Sequence, residues 1–149
     1  MAISTAMCSS FKKELMEAKH NFLLSGGSNF KLALFLSGAT LSAATTVYPA
    51  ASPDFEAIDT SSPQGYAKGG GSLTRVDPAL SGTTAYTDFA DKVYSAVTLT
   101  ARGCMIYNAD QSNAAVSTHD FGADKTATSG DFSILMPAPA AGTAILRLA

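Results

Sequence analysis

Apolar residues recur along this chain with two periods, and the change between them falls near Gly26. Within residues 4–22, Met7, Phe11, Leu15, Ala18 and Phe22 follow at steps of four, four, three and four, which places them on one helical face. Lys12, Lys13, Glu17 and Lys19 fall mostly off that stripe, and Ser9 or Ser10 would cap a shorter helix beginning there. Ser25-Gly26-Gly27-Ser28 then stops the helix and turns the chain. The stripe is too short for a stable coiled coil, so the helix is expected to pack on a sheet.

From Asn29 the period becomes two. Phe30, Leu32, Leu34 and Leu36 alternate with Lys31, Ala33 and Phe35, as in a strand buried on one face and partly on the other. Residues 37–65 are rich in Ser, Thr, Ala and Pro and read as a long loop or arm with one short strand around Thr45–Tyr48. Pro49, Pro53 and Pro63 argue against a central strand there. Loops of that kind are commonly functional surface or assembly arms.

Gly69-Gly70-Gly71 marks a bulge or turn before a strand through Leu73 and Val76, and Pro78 to Gly82 turns the chain again. Strands follow at Thr83–Phe89, Val93–Leu99, Ala101–Asn108, Ala114–Phe121, Asp131–Met136 and Thr143–Leu148, with a turn at Asn108-Ala109-Asp110. Lys92 to Lys125 is thus expected to be three short strands on tight polar turns. This spacing predicts one mainly β domain over residues 1–149. Its expected form is an antiparallel β-sandwich or jelly-roll-like barrel with one N-terminal amphipathic α-helix.

Composition narrows the functional classes. Only 15 % of the 149 residues are charged, against about 25 % in ordinary domains, so neighbours are expected to cover part of the surface. The net charge is −2 with no run of either sign, which lacks the basic footprint of a nucleic-acid binder. No stretch reaches the ~20 apolar residues that span a bilayer. Lys31 followed by LALFLSGATLSAA looks like a secretory signal, but it lies behind the helix and is broken by Ser37 and Gly38. The expectation is a protein made in the cytoplasm without signal or membrane anchor.

Candidate chemistry is thin. Cys8 and Cys104 form either one disulfide or, the preferred reading, a pair of buried free thiols. His20 and His119 have no second His or Cys at metal-ligand spacing. Asp110, Asp120, Asp124 and Asp131 lie near turns without a calcium-loop pattern. Gly69-Gly70-Gly71 lacks the Lys and helix of a phosphate loop, and no G-x-S-x-G element occurs. Adjacent strands could bring Cys104 beside His119; otherwise Cys104 is a small core hydrophobe.

No catalytic residue, cofactor or metal is therefore expected. Arg102, Arg147, Tyr48 and Tyr66 are the candidate subunit contacts. Each arginine sits in a strand of small or apolar residues. There it either guards an edge or meets an acidic residue of a neighbouring subunit. Tyr48, Tyr66 and Tyr86 would alternatively offer the stacking face of a carbohydrate-binding module.

An ordered set of segments carries a resemblance. It comprises C-S-S-F-K-K-E-L at 8–15, H-N-F at 20–22, F-K-L-A-L-F at 30–35, G-G-S-L-T at 70–74 and S-G-T-T-A-Y-T-D-F-A-D at 81–91. It continues with T-A-R-G-C-M-I-Y-N at 100–108, D-F-G-A-D-K at 120–125 and A-I-L-R-L-A at 144–149. The set resembles a family of small virion structural proteins of tailed bacteriophages, sometimes labelled tail-fibre proteins. T-A-R-G-C-M-I-Y-N-A-D followed by A-V-S-T-H-D-F is also similar to the end of the phage tail-collar fibre domain.

The resemblance implies a non-enzymatic virion component made in the host cytoplasm. Such a protein would form homo-oligomers and contact other virion proteins. The tail or fibre-attachment region is favoured over capsid decoration. Neither family offers catalytic residues to carry over.

Overall fold

The alternating run at Phe30–Phe35 builds the central strand of the protein. The structure, a computed structural model, describes residues 2–49 and 53–149. In chain order the elements are β1 (Ala6–Met7), α1 (Ser9–Met16), β2 (Phe30–Phe35), β3 (Gly71–Ser72), β4 (Arg75–Ser81) and β5 (Thr84–Phe89). Then come β6 (Lys92–Asn108), β7 (Ala114–Ile134) and β8 (Leu146–Leu148), and a 3-10 turn lies at Pro53–Phe55. One antiparallel sheet runs β1-β7-β6-β2-β3 and a second runs β4-β5-β8. The protein is mainly β, a two-sheet sandwich with one short N-terminal helix.

Strand β2 pairs with β6 along its whole length, from Phe30 opposite Asn108 to Phe35 opposite Gly103. Phe30, Leu32 and Leu34 lie on one face and Ala33 and Phe35 on the other, all at 0 % exposure. On the first face Phe30 stacks on Phe22 at 4.5 Å, and Phe11 and Phe89 close around the pair. These four rings join the helix, the loop after it and both sheets. Each such burial stabilises the domain by roughly 1.5–3 kcal/mol.

The helix is shorter than the expected 4–22. Residues before Ser9 are extended because β1 pairs with Ser117 and Thr118 of β7 and Ile3 bridges Leu41. At the other end Ala18 adopts φ 56, its N–H bonds the Leu15 carbonyl, and the Lys19 N–H bonds the Glu14 carbonyl. That six-to-one and five-to-two pair is a Schellman stop. Ala18 therefore faces solvent, and Phe22 reaches the core from the following loop. Because the left-handed conformation penalises a side chain, Ala18→Gly is expected to stabilise the protein by about 1 kcal/mol. A higher urea midpoint at unchanged m-value would register the gain.

The described parts of the 37–65 loop, residues 37–49 and 53–65, lie as a strap against the sheet. Tyr48 N–H bonds the Asn113 carbonyl, Ala115 N–H bonds Thr46, and Ala57 N–H bonds Leu34. Ala39, Leu41 and Ala57 are fully buried. Small side chains let this strap lie flush on the sheet rim. The expected strand at Thr45–Tyr48 shrinks to one bridge, Val47 with Ala114.

The three short strands expected in Lys92–Lys125 are instead parts of two long ones of 17 and 21 residues. The expected turn after Asn108 is present; the other expected breaks fall inside continuous strands, where register shifts and positive φ at Ala96 (55), Gly122 (76) and Ser129 (47) mark β-bulges. They curl the ribbon sharply. Phe121 and Phe132 of β7 have ring centroids 6.2 Å apart, where a straight strand would separate them by roughly 35 Å. The strand expected at Asp131–Met136 is the end of β7, and that at Thr143–Leu148 narrows to β8.

Candidate functional site

Polar groups concentrate where the strap meets the sheet. Residues 55–57 continue the edge of β2, with Glu56 bridging Phe35, so the Glu56 side chain points to the face carrying Phe35. Glu56 is fully buried. Its Oε1 accepts hydrogen bonds from the Tyr66 hydroxyl at 2.7 Å and the Gly69 N–H at 2.6 Å, and Oε2 accepts from the Tyr48 hydroxyl at 2.7 Å. The Tyr66 hydroxyl in turn accepts the Leu34 N–H. Tyr107 stacks on Tyr48 at 4.7 Å and donates to the Gly69 carbonyl.

Burial, reinforced by the Glu56 charge, holds the Tyr48 and Tyr66 hydroxyls well above the usual tyrosine range and pushes Tyr107 up to about 12. None of these three ionises near neutrality, so the cluster offers no phenolate nucleophile. It locks the strap to the sheet.

Asp59 is the second anchor. Its Oδ1 accepts from the Ser61 N–H and hydroxyl and the Thr98 N–H, and its Oδ2 from the Gly65 and Tyr66 N–H groups. Removal from water would raise its pKa. The hydrogen bonds from Ser61, Thr98 and Tyr66 outweigh that and carry the carboxyl well below the usual carboxylate range.

The two histidines lie apart. His20 is buried against Phe11, with Asn108 Nδ2 facing its Nδ1 at 3.0 Å and its Nε2 donating to Glu14 at 2.9 Å. Both ring nitrogens are thereby occupied, which joins helix, loop and β6. His119 does stand opposite Cys104 in the β6–β7 register, and Ser117 Oγ lies 2.9 Å from its Nε2. Cys104 and His119 line a cavity of about 240 Å³ together with Leu32, Ile106 and Met136.

Electrostatics separate this pair from a thiolate–imidazolium. Burial pushes the Cys104 thiol up to about 12 and pulls the His119 imidazole down to about 4. Both shifts favour the neutral forms. Among the described residues no carboxylate hydrogen-bonds His119 to orient it, and no group of three or more His, Cys, Asp or Glu is placed to hold a metal. Cys8 and Cys104 are both buried free thiols.

The His119 shift sets a pH dependence. Between its unfolded value near 6.5 and its folded value of about 4, the unfolded chain binds the proton and the native state does not. Acidification through that window should remove about 2–3 kcal/mol of stability. His119→Gln should flatten the loss between pH 6.5 and 4.5 in chemical denaturation. The Asp59 contribution has the other sign of origin: it is present above an unfolded carboxyl value and fades only as the pH falls below about 4.

The candidate contact residues scatter. Tyr66 is 2 % exposed, and Tyr48 is half-buried on Tyr107 and Glu56, so neither ring is open for stacking. Tyr86 lines a groove beside α1, so the three tyrosines form no common face. Arg102 pairs within its own chain, at 3.1 Å from Asp120 on β7 and 3.8 Å from Asp124. Exposed pairs of this kind add little stability. Arg147 lies exposed on β8, an edge strand, and donates to the Gly142 carbonyl.

Glu56 and Asp59 were missed as candidates because a lone acid in a Ser/Pro-rich stretch reads as solvated. The only sequence signal was Asp59 two residues before Ser61, a local turn pattern. Large apolar side chains stand in solvent at Met16 (87 % exposed), Leu135 (77 %) and Leu80 (71 %). No helix among the described residues is long and apolar enough to cross a membrane. Compared with known proteins, the chain matches no family model, no curated sequence and no solved structure.

Proposed function

We propose that the protein is a non-enzymatic structural component of a tailed-bacteriophage virion, multimerising on the particle at the tail or fibre-attachment region. The observation that carries this reading is a division of labour among side chains. The groups with chemical potential (Cys104, His20, Glu56, Asp59) are committed to internal contacts. Leu135, Leu80 and Met16 meanwhile stand exposed on a surface poor in charge. The segments that resemble phage structural proteins coincide with the framework: α1, β2, β5, β6, the middle of β7 and β8. Its partners are other virion proteins and further copies of itself.

Quantitative mass spectrometry of purified virions tests the reading. Copy numbers matching tail proteins support it. Copy numbers matching the major capsid protein move the chain to capsid decoration. Absence from infectious particles overturns the virion reading altogether.

A further inference from the structure

Two soft donors face each other across the β6–β7 ladder. Cys104 and His119 are directly opposed in the antiparallel register, and both line the cavity of about 240 Å³. Opposed residues on one face hold their Cβ atoms roughly 4.5–5.5 Å apart. The Cys8 thiol donates to the Ser42 carbonyl at 3.9 Å, whereas the Cys104 thiol has no hydrogen-bond partner among the described residues. His119 meets Ser117 Oγ through Nε2 at 2.9 Å, which leaves its Nδ1 without a partner among the described residues.

A third soft atom belongs to the same space. Met136 follows β7 and lines the cavity, and its N–H donates to Asp91 Oδ1 at 2.7 Å, which fixes the backbone that presents the thioether. The remaining wall is apolar, with Leu32, Ile106 and Phe121, and carries no acidic side chain. A thiol, an imidazole and a thioether thus share a pocket that offers no other charge.

We propose that Cys104, His119 and Met136 bind one Cu(I) ion in this cavity. Thiolate and thioether donors select Cu(I) over harder ions. Charge points the same way. One thiolate on a monovalent ion is neutral, whereas Zn²⁺ would leave a buried positive charge with no carboxylate to offset it. The span also fits, because an ion about 2.0–2.3 Å from nitrogen and sulfur bridges donors rooted on opposed strands. As the copper–sulfur bond forms, the thiol proton leaves to solvent and no oxidation state changes. Ser117 accepts the Nε2–H and so fixes the tautomer whose Nδ1 lone pair meets the ion, the role of an outer-shell partner. No turnover is asked of these groups, and the inference stands independently of the virion reading.

Anaerobic titration of the full, reduced chain with Cu(I), in competition with the chelator bicinchoninate, tests the site. The wild type should take up one equivalent, and Zn²⁺ in a parallel competition should bind at least about a hundredfold more weakly. Cys104→Ser and His119→Gln should each weaken Cu(I) binding by at least about a hundredfold, and Met136→Leu by about tenfold. Cys8→Ser should bind as the wild type does. Circular dichroism checks that each variant folds. Copper K-edge absorption of the loaded wild type reads the site without any substitution and should show both sulfur and nitrogen neighbours.

A wild type that yields all its Cu(I) to the chelator overturns the proposal. So does a site that survives Cys104→Ser or His119→Gln, one lost with Cys8→Ser, a copper shell without nitrogen, or Zn²⁺ bound as tightly as Cu(I).

Discussion

Glu56→Ala is expected to lower the unfolding free energy by about 3–5 kcal/mol, the scale for deleting one partner of a buried charged network. The substitution leaves the Tyr48 and Tyr66 hydroxyls and the Gly69 N–H around an empty space. A buried donor without an acceptor costs about 1–3 kcal/mol, and the whole domain holds only about 5–15. Glu56→Gln should be far milder, about 1 kcal/mol, since its amide oxygen still serves Tyr66 and Gly69 while Tyr48 turns to accept. Urea unfolding distinguishes the outcomes. Tyr66→Phe should then add little on the Glu56→Ala background, the mark of shared partners in a double-mutant cycle. A loss under about 1 kcal/mol for Glu56→Ala would show that the strap is held elsewhere.

Gly70→Ala is expected to be at least as damaging, with a loss above about 4 kcal/mol or no folded protein. A Cβ there would strike the Leu32 carbonyl and come within 2.9 Å of the Ala33 Cα, at a residue with φ +70. Backbone cannot yield as a flexible side chain can, because β3 pairs with β2 at Leu32 itself. Gly82 supplies the control. It has a similar φ of +59 in the β4–β5 turn but no atom within 4 Å of a Cβ, so Gly82→Ala should lose only about 1 kcal/mol. Equal effects at the two glycines would refute the collision account.

These two predictions fall on residues that were hard to read from sequence, and the reason is instructive. Gly69-Gly70-Gly71 was legible as a turn before a strand, because glycine runs announce backbone freedom. That Gly70 is required by close approach to Leu32 was not, since the two are far apart in the chain. Glu56 was invisible as an anchor for the same reason. Its donors Tyr48, Tyr66 and Gly69 acquire meaning only once the strap folds back on β2. The overlong helix prediction has a different cause. Phe22 continued the helical stripe, but the Schellman stop at Ala18 carries no glycine to announce it. In the ribbon, Thr100 and the Gly- and Asp-rich stretch after Phe121 looked like strand breaks, whereas β-bulges absorb such residues without ending a strand.

From its residues alone the chain determined a mainly β fold with one N-terminal helix, the central Phe30–Phe35 strand, and two unpaired thiols as the preferred cysteine state. Local periodicity and turn chemistry suffice for those, because they depend on neighbours a few positions away. Only the tertiary structure decided that residues 37–49 and 53–65 lie along the rim, that Glu56 and Asp59 anchor them, and that Arg102 pairs with Asp120. Each of those depends on groups brought together across long stretches of chain, where hydrogen-bond geometry and burial are set by the packed fold and leave no periodic trace.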